Sequence, residues 1–118
     1  MANVTGILEK SLAAYPVEKV KISVTAAGSG RTTVEAGRAG KILRVTALIF
    51  TVSADLDIGW DSNDVEQVPP MPFKARGGME AEWSRGFIFE SAVGQNIQVN
   101  HSAAGNIRGV LNLIAYPG

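Results

Sequence analysis

Hydrophobic and polar residues change rhythm several times along this chain, and each rhythm predicts an element. Ile7, Leu8, Leu12 and Tyr15 recur at helical spacings, with Thr5 placed to cap the start and Pro16 to close the end, so residues 1–16 predict a short helix or ordered arm. About eleven helical residues are marginal alone because nucleation is costly, so the segment needs a surface to dock on. A second subunit would supply one. From Val17 the period falls to two: Val20, Ile22 and Val24 alternate with Lys19, Lys21, Ser23 and Thr25, which predicts a strand with one buried face.

Beyond a Gly-Ser-Gly-Arg stretch that reads as a hairpin turn, RTTVEA predicts a short strand, and Lys41 to Val52 predicts the strongest one in the chain. In KILRVTALIFTV, Leu43, Val45, Ala47 and Ile49 point one way, while Ile42, Leu48, Phe50 and Val52 point the other. The second half is therefore apolar on both faces. Such a strand is covered twice, carries a bulge that re-phases it, or presents Leu48 and Phe50 to another subunit.

Leu56, Ile58 and Trp60 then alternate with Asp55, Asp57, Gly59 and Asp61, which predicts a strand with an acidic outer face and the Trp on the core side. Residues 62–78 read as irregular, with Pro69, Pro70 and Pro72 forbidding a central strand and pointing to an edge or a crossing between sheets. Strands are expected around Met79 to Trp83, Phe87 to Ser91 and Ile97 to His101. Asn106 to Tyr116, apolar on both faces in its second half, predicts a closing central strand. Roughly eight short strands with turn signals every eight to twelve residues make this an all-β chain, an antiparallel β-sandwich of jelly-roll-like type. The expected organisation is an arm over 1–16 and one sandwich domain over 17–118.

Composition narrows the function. At 118 residues, with 46% hydrophobic and 19% charged, the chain is the size and balance of one globular domain. Eleven basic residues cancel eleven acidic ones, so nucleic acid is not an expected partner, and repulsion between copies is weak. There is no cysteine. No stretch approaches the roughly 18 apolar residues of a membrane span, and the start lacks the pattern of a signal peptide, so neither a membrane nor secretion is expected.

Candidate chemistry is thin. The single His101, near a Ser-Ala-Ala-Gly turn, has no nucleophile motif around it and reads as a partly exposed strand-end residue. Asp55, Asp57, Asp61 and Asp64 offer oxygens of the kind Ca²⁺ takes. Counted from Asp55, however, the sixth position is Trp60 where a calcium loop needs Gly, and only Glu66 fits at the twelfth. A solvated strand face is the preferred reading. Trp60 and Trp83 are candidate sugar-stacking rings, but both fall on the apolar phase of their strands. No catalytic set and no cofactor site emerge.

The order of features from about Ser23 onward resembles the small β-sandwich proteins of tailed bacteriophages that decorate the capsid or serve as minor virion components. The resemblance is carried by VTAAGSGRTTVEAG, RAGKILRVTALIFTVSA, LDIGWDS, VPPMPF and GFIFESAVGQNIQVNHSAAGNIRGVLNLIAY. It implies a non-enzymatic virion structural protein, a capsid decoration (cement) protein made in the bacterial host cytoplasm. As a homotrimer it would bind the major capsid protein at the outer shell and stabilise it. Its contacts with other subunits or the capsid are expected at Ile7, Leu8, Leu12, Tyr15, Leu48, Phe50 and Phe73. The alternatives are a phage tail, neck or receptor-binding component, or a carbohydrate-binding module.

Overall fold

The computed structural model describes residues 15–82 and 88–118 and contains nine strands and no helix among them. They are β1 (Val17–Ala26), β2 (Gly30–Glu35), β3 (Lys41–Val52), β4 (Leu56–Ser62), β5 (Val65–Phe73), β6 (Gly78–Glu82), β7 (Phe89–Glu90), β8 (Ile97–His101) and β9 (Gly105–Pro117). Most of the expected arm, Ile7, Leu8 and Leu12 included, lies outside the described residues, as does Trp83.

Two antiparallel sheets pack face to face. One runs β1-β9-β3-β6, with β7 also paired to β3; the other runs β2-β8-β4-β5. Strand β4 pairs with β5, β3 with β6 and β7, β2 with β8, and β1 with β9. The chain is thus a long antiparallel ribbon rolled into two layers, which is the jelly roll. The 27–30 turn is not a hairpin, because β1 and β2 belong to different sheets and the Gly-Ser-Gly stretch crosses between them. A true hairpin joins β4 to β5, where Asn63 and Asp64 both take positive φ, the two-residue turn whose twist suits antiparallel strands.

Alternation places the core. Ile22, Val24 and Ala26 from β1, Ile107, Leu111 and Leu113 from β9, and Ile58, Trp60, Ile97 and Val99 from the opposite sheet are all buried. Phe50 meets Trp60 edge-on at 5.7 Å between centroids, and Phe89 stacks on Trp60 at 6.2 Å. Strand β9 is central, as expected of it, lying between β1 and β3. At Gly109 on β9 even one extra carbon would sit 1.9 Å from the Ile49 carbonyl oxygen, so a side chain there collides with the backbone of β3.

The proline-rich segment is mostly strand, not irregular chain. It forms β5, an edge, where prolines lacking N–H donors are tolerated. Its pairing with β4 is interrupted twice, between Ile58 and Trp60 and between Trp60 and Asp61, so β5 curls over β4. Gly59 permits this: a Cβ there would stand 2.9 Å from both the Val68 oxygen and the Pro70 nitrogen.

Candidate functional site

The two-faced apolar pattern of β3 is resolved by a bulge. Val45 pairs with Leu113 and Ala47 with Asn112, leaving Thr46 as the extra residue. Before the bulge Leu43 and Val45 point inward; after it Leu48, Phe50 and Val52 do, each at most 2% exposed. Leu48 and Phe50 are therefore core residues and do not form an outward contact surface, which corrects that expectation. The inserted residue brings the second apolar series inside and turns Ala47 and Ile49 out.

What the bulge exposes lies on the outer face of the five-stranded sheet. Ile49 is 49% exposed and Val110, directly opposite it on β9, is 37% exposed. With Lys19, Ala47, Glu80 and Asn112 they line a shallow hollow of about 310 Å³. Exposed apolar residues on the flat middle of a sheet mark a surface that gains by being covered. The sequence contained the signal for this face, but the phase of β3 could not be assigned without locating the bulge.

No protein-family model, curated protein or solved structure matches this chain.

The remaining expected site residues go to separate places. Tyr15 is half-buried just ahead of β1. Phe73 is half-buried at the end of β5, its ring edge-on to Phe50 at 5.2 Å. It borders a second hollow with Asp55, Asp57, Pro72, Lys74 and Ser102.

The four carboxylates of DLDIGWDSND do not converge. Asp55 accepts from the Ala75 backbone N–H at 2.8 Å, which with nearby Lys74 holds its carboxyl below the ordinary range. Asp57 is exposed, and Asp64 accepts from the Gln98 amide at 2.9 Å. Asp61 is fully buried and pairs with Arg31. The acidic outer face expected on β4 is thus broken at Asp61. Among the described residues no group of three or more His, Asp or Glu side chains is placed to hold a metal ion.

His101 is not a partly exposed strand end. It is 5% exposed on the inner face, with Nδ1 2.8 Å from the Gly28 carbonyl oxygen and Nε2 2.9 Å from the Thr32 hydroxyl. Since a carbonyl only accepts, Nδ1 carries the proton and donates it, and in the neutral ring Nε2 accepts from Thr32. The ring ties the β1–β2 crossing to the small sheet.

Two arginine clusters hold the margins. Arg38 grips Glu18 through two bonds of 2.7 and 2.8 Å and reaches Glu35 at 3.4 Å, joining the β2–β3 loop to β1. That fork lowers the Glu18 carboxyl and raises the Arg38 guanidinium. On the outer face of the large sheet Arg44 lies over the Tyr116 ring at 4.8 Å and donates to its hydroxyl at 2.8 Å, and that hydroxyl donates to Glu90 at 2.9 Å. Burial, and then the bond to Glu90, push the tyrosine hydroxyl upward and keep it a donor. Both clusters fasten neighbouring elements: Arg38 ties the β2–β3 loop to β1, and Arg44 with Tyr116 and Glu90 ties β3 to β9 and β7.

Proposed function

We propose that this chain is a non-enzymatic structural protein of a phage virion, a decoration protein that attaches to the outside of the capsid as a homo-oligomer, with a homotrimer as the order its resemblance implies. The observation carrying the reading is the outer face of the five-stranded sheet, where Ile49 and Val110 stand exposed on a rigid, well-packed support. Jelly rolls serve in viral shells and in lectins alike, so the fold is compatible with the reading without selecting it. On a shell, modest contact per copy becomes strong attachment through repetition.

The carbohydrate-binding alternative loses one of its two rings, since Trp60 is fully buried, stacked on Phe89 and edge-on to Phe50. Co-sedimentation of the purified protein with capsid shells stripped of it, together with its native mass, tests the proposal. Saturable binding by an oligomer is expected. A monomer that ignores such shells overturns it, and gold label on virion tails would transfer the chain to the tail.

A further inference from the structure

The outer face of the five-stranded sheet is patterned across its strands as well as along them. Strand register places Lys21, Val110, Ile49 and Glu80 in one row from β1 through β9 and β3 to β6. All four are exposed. The adjoining row holds Lys19, Asn112 and Ala47. Along these two rows the face is therefore positive on β1, uncharged on β9 and β3 and negative at Glu80 on β6; the next row, Ser23, Arg108 and Thr51, carries the exposed Arg108, which is bonded to the Val24 oxygen and the Thr25 hydroxyl of β1. Lys19, Lys21 and Glu80 make no ion pair among the described residues, so their charges are uncommitted.

This pattern is its own complement under one rotation. A two-fold axis across the strands lays β1 on β1 and sets lysine against lysine. An axis parallel to the strands, between β9 and β3, lays β1 of one copy over β6 of the other. Lys21 then faces Glu80 twice, and Ile49 of each copy meets Val110 of the other. Sheets packed face to face prefer nearly aligned strands, which this arrangement keeps. An isologous interface requires such a self-complementary patch.

We propose that the occupant of this face is a second copy of the chain, paired about an axis along β3 and β9. The proposal rests on the assembly reading above in taking this face as the contact surface, and it names what covers it. Two-fold pairing closes after two copies, so a homotrimer would be built on other surfaces.

Sedimentation equilibrium of the full chain tests it, with thermal melts confirming that each surface variant is folded. The wild type is expected to form a pair. Lys21→Glu and Glu80→Lys each turn two attractions into repulsions and are expected to weaken pairing roughly tenfold or more, an effect reduced by salt. The combined K21E/E80K restores opposite charges with reversed polarity, and its affinity should return to within about threefold of wild type. A chain that stays monomeric, as it would if residues 1–14 of the same molecule covered the face, overturns the proposal. So does a double variant no better than the single ones. A trimer indifferent to both reversals that still binds capsid shells overturns the pairing and leaves the virion reading standing. A pair that obeys the charge swap but ignores shells does the reverse.

Discussion

Val45 and Ala47 stand opposite consecutive residues of β9, Leu113 and Asn112, and Thr46 between them stands opposite none. This displacement decides which half of an all-apolar stretch is core. Leu48→Ala is expected to cost about 2 to 5 kcal/mol, as a cavity at a fully packed site does. Ile49→Ser, one residue away, should stay within about 1 kcal/mol at protein concentrations low enough to keep the chain monomeric. Urea denaturation compares them, and a larger loss at Ile49 than at Leu48 would place β3 in the other phase.

Arg31 and Asp61 give a second prediction. The carboxylate is fully buried while the arginine side chain is 41% exposed, so removing the arginine strands the charge that water cannot reach. Arg31→Met is expected to lower the urea midpoint, and adding Asp61→Leu should return much of that loss, since an absent charge needs no partner. A double variant less stable than Arg31→Met would mean that the buried carboxylate is not stranded without its partner, and one less stable than wild type by as much as the single variant would mean that the pair contributes more than it costs to desolvate.

The histidine contacts predict a local effect. His101→Phe deprives the Gly28 carbonyl and the Thr32 hydroxyl of their ring partner and should cost about 1 to 3 kcal/mol. Amide hydrogen exchange should accelerate over residues 27–32 beyond what the global loss explains. Unchanged relative protection there would mean that the crossing is held by something else.

Stability should depend on pH through Glu18. Its carboxyl is held below the ordinary value by Arg38, so the ion pair contributes above the unfolded value of about 4.3 and is lost as pH falls through the lower folded value. Both side chains are about a third exposed, so after solvent screening the contribution is at most about 1 kcal/mol. Thermal melts of wild type and Glu18→Gln should differ near neutrality and converge in acid. A gap that persists in acid would assign the effect to packing.

Where one residue follows another without interruption, as in β1 and in the first half of β3, the alternation of side chains reports the buried face directly. Three insertions leave no mark on composition: Thr46 in β3 and the two breaks where β5 curls over β4. Thr46 shifts the side chains of β3 by one position, which puts Leu48 and Phe50 inside; the breaks add residues to β5 and leave β4 in step with β8, so Asp61 keeps its face and is buried there beside Arg31. His101 was misplaced for a different reason, because its partners lie at Gly28 and Thr32, far away in sequence. The charged rows across the large sheet depend on four strands being in register and are equally invisible in the linear order of residues.

The central position of β9 has a consequence for how the protein is made. The first strand and the third find their shared neighbour only among residues 105–117, so the large sheet stays open until nearly all of this sequence has emerged from the ribosome. Folding must wait for synthesis, and during that interval β1 and β3 present unpaired edges to whatever chaperone or sister chain is nearby.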